Sequence, residues 1–157
     1  MNSAIISLIL HQAFFGGIAA AGFGVLFNCP RRILGLCFCS GALALAVRTL
    51  CQGFDLSLPA SSFLAAFSLA LVDRTWKRGQ SPRGSVLAAV GCIPMVPGGL
   101  AAKGLMGLFA LFRIPPEQAV APLVSTLENL IVVIFTLVAI GIGLCIPPLL
   151  YPRESGE

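Results

Sequence analysis

Long apolar runs recur along the whole chain and are separated only by short polar breaks. A helix crosses the hydrocarbon core of a bilayer in roughly 20 apolar residues, which is the length of these runs. Hydrophobic residues form 57% of the 157 residues and charged residues 10%, and this leaves too little polar surface to cover a soluble core. A single signal peptide does not explain runs that span the chain. The sequence therefore predicts an all-α integral membrane protein that lies in a lipid bilayer.

The polar breaks divide the chain into about five transmembrane helices. They form one transmembrane domain over residues 1–157, with spans at about 4–27, 33–52, 58–73, 85–112 and 119–147. Cytoplasmic loops of membrane proteins are rich in Lys and Arg. Only Arg113 lies in a loop opposite the larger basic group, which is Arg31, Arg32, Arg74, Lys77, Arg78, Arg83 and Arg153. We therefore expect an N-terminus outside and a cytoplasmic C-terminus; a re-entrant fourth run would invert the later part.

Charge, cysteine spacing and missing motifs exclude several classes of function. The net charge of +4 lies in the breaks and not on one face, which indicates topology signals and no nucleic-acid partner. The six cysteines lie in or beside apolar segments without zinc-site spacing, so we expect buried free thiols and no metal. Enzymatic patterns such as HExxH and GxSxG do not occur. We expect no catalytic residue, no cofactor and no enzyme activity.

The fourth apolar run, residues 85–112, is interrupted by the sequence IPMVPGG. The run is longer than one straight crossing requires. Pro94 and Pro97 each remove a backbone donor and clash with the preceding turn, and Gly98 and Gly99 permit a sharp bend. We therefore predict a fourth span broken at Pro94, Pro97 and Gly98, with a second half-helix that starts near Gly98.

Such a break is a candidate binding site, because backbone groups freed within a membrane must be buried in protein or line a wet cavity. The amides and the dipole at the start of the second half-helix attract anionic groups. A cation for a carboxylate is available at Lys103, about one and a half turns further on. The predicted substrate-binding residues are Pro94, Pro97, Gly98, Gly99 and Lys103. The alternatives are a packing kink and a lysine that reaches the interface.

Three further polar residues at membrane depth are candidates for coupling or ion pairing. Glu128, with Asn129 beside it, is predicted to be a proton-coupling acid or an ion-pair partner of Lys103. The alternative places Glu128 near the outer interface, with Pro122 as the first residue of its helix. His11 is either a proton relay or a hydrogen-bonded packing residue.

Two other features favour structural roles. Arg48 is expected near the outer end of the second span, where its side chain reaches the interface and can pair with Asp55. The small residues of GGIAAAGFG, which follow Phe15, let helices approach closely within this chain or against a partner.

The stretches GFGVLFNCPRR, at residues 22–32, and IPMVPGG, at residues 93–99, together resemble the small subunit of the split threonine/serine exporter family, whose relatives include succinate-export subunits. The resemblance covers nearly the whole chain. Its more specific motif is Pro-x-x-Pro-Gly within a span; in the weaker motif, Arg32 fills the arginine position after Asn28. The resemblance implies an obligate larger membrane subunit with a soluble N-terminal portion, which is absent from these 157 residues.

The resemblance implies a location in the bacterial inner membrane, with several passes. The predicted function is the small membrane subunit of a two-component exporter for a small hydrophilic carboxylic acid, with succinate as the leading cargo. The substrate is then a small anion or zwitterion. The alternatives are export of threonine or serine, and a structural or assembly subunit that transports nothing.

Overall fold

The computed structural model describes residues 3–76 and 85–150, which form helices and no strands. The helices are α1 (Ser3–Leu26), α2 (Leu34–Gln52), α3 (Leu58–Trp76), α4 (Ser85–Cys92), α5 (Gly98–Leu111) and α6 (Val120–Leu150). Short 3₁₀ turns occur at Arg31–Ile33, Ile93–Met95 and Pro116–Gln118. The predicted all-α architecture and the broken fourth run are both confirmed. Four of the basic residues used to predict the topology lie outside the described residues: Lys77, Arg78, Arg83 and Arg153.

The number of candidate spans among the described residues is smaller than the five predicted. By length and composition, three helices can cross a membrane, and a bent pair, Leu87–Met95 with Gly98–Leu111, makes a fourth if it is one span. The apolar part of α3, Leu58–Asp73, is shorter than the other spans. Helix α3 nevertheless lies inside the bundle, because it packs against α2, α4 and α6.

Helix α1 ends in a capping motif that the sequence places just before Pro30. Asn28 adopts the left-handed conformation, with a φ of 55°. Its N–H donates to the Val25 carbonyl, and the Cys29 N–H donates to the Gly24 carbonyl, both at 2.9 Å. These two bonds are those of a Schellman cap, in which Asn substitutes for the usual Gly. The helix therefore ends before Asn28, and Pro30 lies in a chain that has already turned.

The α1–α2 interface depends on small residues. Gly16 and Gly17 on α1 are buried, and Ala20 is fully buried. A methyl group added at Gly41 of α2 would lie 2.5 Å from the Gly16 carbonyl oxygen and closer still to the Ala20 methyl group. The small residues that follow Phe15 therefore mediate packing within this chain.

Helix α6 joins two parts of the structure. Gly143, near its C-terminus, packs on α3, where an added methyl group would lie 2.8 Å from the Phe63 carbonyl oxygen. Toward its N-terminus, Leu130 packs over Gly104 of α5. The main core is formed by residues of α2, α3, α4, the 3₁₀ turn Ile93–Met95 and α6. Its buried residues are Ala44, Leu45, Ala65, Ala66, Leu69, Ala88, Cys92, Met95 and Ile140.

A Gly41→Ala variant should lose stability, because a new methyl group cannot fit between the α1 backbone and Ala20. Overpacking of this kind costs about 1–3 kcal/mol, so we expect a lower midpoint of thermal unfolding in detergent. The matched control is Gly35→Ala on the same helix, where an added methyl group meets nothing within 4 Å. Equal midpoints for the two variants would contradict the α1–α2 packing described above.

Candidate functional site

The fourth apolar run breaks between α4 and α5 over a short segment. After the 3₁₀ turn, Val96 is extended, with φ −60° and ψ 126°, and Pro97 has φ −78° and ψ 61°. The two helical pieces are bent by 51°. A re-entrant hairpin requires the chain to double back, whereas this bend leaves α5 running onward. The geometry is therefore that of an apolar helix that is interrupted and bent in its middle.

The prolines account for the break predicted at Pro94, Pro97 and Gly98. No glycine among the described residues has a positive φ, so the bend does not require a left-handed glycine. Both glycines already lie in the first turn of α5. Because Pro97 has no N–H and its ring restricts the chain before it, the helix stops at the 3₁₀ turn and restarts after Pro97. A methyl group added at either glycine would meet nothing within 4 Å.

Arg48 of α2 satisfies a backbone group at the break. Its Nη1 donates a hydrogen bond of 2.6 Å to the Met95 carbonyl oxygen. Arg48 follows Ala44 and Leu45, which are buried, by one helical turn, so it extends the packed face of α2. The expected pairing with Asp55 does not form among the described residues. Instead the Arg48 side chain turns toward a carbonyl that the broken helix leaves without a helical donor.

A cavity of about 410 Å³ lies beside the break. Its volume falls within the range of small-molecule sites, roughly 300–1,000 Å³. Helices α1 and α2 and the start of α3 supply one side, and the break and α5 supply the other. The lining residues are Gln12, Leu45, Arg48, Thr49, Gln52, Leu58, Pro94, Val96, Pro97, Gly98, Gly99 and Leu100.

The lining combines one positive charge with uncharged polar groups. Arg48 is its only charged residue, and the side chains of Gln12, Thr49 and Gln52 add donors and acceptors. The first turn of α5 adds the backbone N–H groups of Gly99 and Leu100, because the first regular bond runs from the Ala101 N–H to the Pro97 carbonyl, 3.0 Å; the Gly98 N–H already donates to the Val96 carbonyl, 2.8 Å. The cavity is thus suited chemically to an anionic or strongly polar small molecule.

The structure separates the other predicted residues from this cavity. Lys103 is exposed on α5 and does not line it. Glu128 is exposed and Asn129 half-buried on α6, and within residues 3–76 and 85–150 no ion pair joins Glu128 to Lys103. Pro122 is the third residue of α6 and not its first. His11 is exposed; its ring lies 4.6 Å from that of Phe15, a ring contact and not the hydrogen-bonded packing role considered above.

The sequence reasoning missed the polar residues on α1 and α2. Leu45, Arg48, Thr49 and Gln52 follow the spacing i, i+3, i+4 and i+7, which places them on one face of a helix. Three of those four residues are polar, near the end of an otherwise apolar span, and that pattern could have identified the face. The position of Gln12 opposite this face depends on tertiary packing.

The cysteines are less uniformly buried than expected. All six are free; Cys37 and Cys92 are buried, whereas Cys39 and Cys145 are exposed on α2 and α6. The expectation of six buried thiols is therefore wrong for the two exposed residues. Both lie on helix surfaces that this chain leaves uncovered.

Comparison with known proteins identifies a family and, among the matching proteins, a distant relative of this chain. Residues 12–150 match the family described as "Threonine/Serine exporter, ThrE". An uncharacterized protein of Haemophilus influenzae is 28% identical over 149 residues, which is 94% of this chain and 49% of the relative. The chain therefore spans about half the length of the curated relative that it matches. No solved structure matches.

A cysteine at position 96 should react with a charged, water-soluble thiosulfonate, because Val96 lines the polar cavity and only a thiolate in water reacts quickly. The measurement compares Val96→Cys with Ile134→Cys in a background without the six native cysteines. Ile134 is more exposed than Val96, 60% against 46%, but lies midway along the apolar helix α6. Labelling of the second variant alone, or of neither, would contradict a water-filled cavity at the break.

Proposed function

This chain belongs to the threonine/serine exporter family, and from that premise we propose that it is the small membrane subunit of a two-component exporter. The proposed cargo is a small hydrophilic carboxylic acid, with succinate as the leading candidate. The supporting observation is the polar cavity of about 410 Å³ at a broken helix within an apolar bundle. Irregular backbone at membrane depth is typical of places where transporters bind their substrates.

The charge of the lining favours an acid over a zwitterion. Arg48 is the one charged residue among the twelve that line the cavity, and none of the twelve is acidic. A carboxylate gains a charged partner there, whereas the ammonium group of threonine or serine would find only neutral acceptors. Export of these amino acids remains the alternative cargo, since the family is described by them.

A larger membrane partner is part of the proposal. The relative from Haemophilus influenzae carries about as much additional chain as it shares with this protein. Helix α5 packs chiefly against α6, so the side of the cavity that α5 forms is covered little by the rest of this chain. We propose that a second membrane unit covers this side, as a separate and obligate subunit.

The proposed location is the bacterial inner membrane, with the N-terminus outside and the C-terminus cytoplasmic. The cavity includes Gln52 and Leu58, which lie where α2 ends and α3 begins. In the proposed orientation this end of the bundle faces outside. An exporter must release its cargo there.

The roles of the residues outside the cavity remain proposals. Lys103 is proposed to contact substrate during its passage and not in the cavity itself, because it is exposed on the α5 surface. Glu128, Asn129 and His11 are proposed for coupling or ion pairing with groups other than the described residues of this chain.

Export should fail when the cavity is filled. In inside-out vesicles that contain this chain and its larger partner, Gly99→Leu should reduce succinate uptake about tenfold or more, because the new side chain occupies the cavity. An added methyl group at Gly99 meets nothing within 4 Å, so the fold tolerates the change. The control is Gly141→Leu on α6, which also meets nothing within 4 Å.

Three outcomes separate the proposals. Loss of uptake with the partner still bound supports transport through the cavity. Loss of partner binding in Gly99→Leu alone would favour a structural or assembly subunit. Uptake of threonine or serine in place of succinate by the wild-type complex would select the alternative cargo.

A further inference from the structure

We propose that Arg48 binds the carboxylate of the transported molecule, with the cavity beside the broken helix as the binding site. The inference rests on the proposed transport function and names the chemical group that the cavity recognises. The sequence analysis assigned the binding of a carboxylate to Lys103, and this inference assigns it to Arg48. It applies equally to a dicarboxylate and to an α-amino acid, since both carry a carboxylate.

The first argument is the missing counter-ion. Arg48 is half-buried within an apolar bundle, and in the part of the chain that the structure describes it forms no ion pair. A guanidinium stays charged in proteins, and a charge at membrane depth is costly unless it is paired. Its one protein partner there is a neutral carbonyl, that of Met95. An anion in the cavity would supply the missing negative charge.

The second argument is geometric. The bond from Nη1 to the Met95 carbonyl holds the guanidinium at the edge of the cavity and uses one of its five N–H donors. The remaining donors include a pair that can bind both oxygens of a carboxylate. A side chain held in place by its own packing loses little freedom when it binds a ligand.

The third argument concerns the other lining groups. Thr49 and Gln52 extend along the same helix, and Gln12 adds an amide from α1. Gly99 and Leu100, whose N–H groups have no helical partner in the first turn of α5, also line this space, and the N-terminal end of the helix dipole favours negative charge there. These groups add hydrogen-bonding capacity beside the charge of Arg48, but they carry no formal charge themselves. Arg48 is therefore the residue that distinguishes an acid from its neutral amide.

The test measures that distinction directly. Vesicles that contain the full chain and its larger partner take up labelled succinate or labelled L-threonine, with unlabelled acid or the corresponding amide, succinamide or L-threoninamide, as competitor. For the wild type we expect the acid to compete at least about tenfold better than the amide. Arg48→Gln should raise the KM for the acid about 10- to 100-fold and bring the acid and amide to similar potency.

The matched control is Arg113→Gln, which removes the same charge from an exposed residue outside the cavity. It should change the KM by less than about twofold. If Arg48→Gln does not assemble with the partner, Arg48→Lys carries the test; it keeps the charge and should retain a preference for the acid, with weaker binding. A preference for the acid that survives in Arg48→Gln would overturn the inference.

Two results separate this inference from the proposed function. If Arg48→Gln weakens acid and amide equally, Arg48 acts on the fold through Met95, and the inference fails while transport stands. If wild-type vesicles take up neither acid, the proposed function fails. Calorimetric titration of the wild-type and Arg48→Gln complexes with succinate and with L-threonine then tests the inference separately. The inference requires that the wild-type complex binds one of these acids and that Arg48→Gln abolishes this binding.

Discussion

The structure depends on how one broken stretch of backbone is satisfied inside a membrane. An unpaired carbonyl in hydrocarbon costs several kcal/mol, and lipid offers no donor. The hydrogen bond from Arg48, a residue of another helix, to the Met95 carbonyl offsets this cost. That bond ties α2 to the break between α4 and α5. The same contact that makes the interruption tolerable also places a positive charge at the cavity.

The features that could be predicted from sequence are those with local causes. Proline lacks an N–H wherever it occurs, so the break at Pro94 and Pro97 follows from residue identity. Apolar length sets the helices, and their observed bounds lie close to the predicted ones. The end of α1 also has a local cause, because Asn28 in the left-handed conformation stops the helix before Pro30. The glycines that were expected to permit the bend, Gly98 and Gly99, lie in the first turn of α5.

The features that could not be predicted depend on which helix faces meet. Arg48 looked like a residue that reaches the interface, because a single sequence does not show that a carbonyl without a donor lies opposite it. Lys103 was chosen for its distance from the break along the chain, but the direction of its side chain is set by the packing of α5 on α6. The face of α5 that does not pack on α6 has few contacts with the described residues of this chain.

A structural role and a binding role for Arg48 are compatible because a guanidinium has more donors than one carbonyl can use. A lysine could satisfy the Met95 carbonyl as a point charge, but it lacks the planar fork that binds a carboxylate through two parallel bonds. A neutral donor such as Gln could satisfy the carbonyl without the cost of burying a charge. The arginine is costly as a simple cap for the break. That cost is reasonable where an anion regularly occupies the cavity and pairs with it.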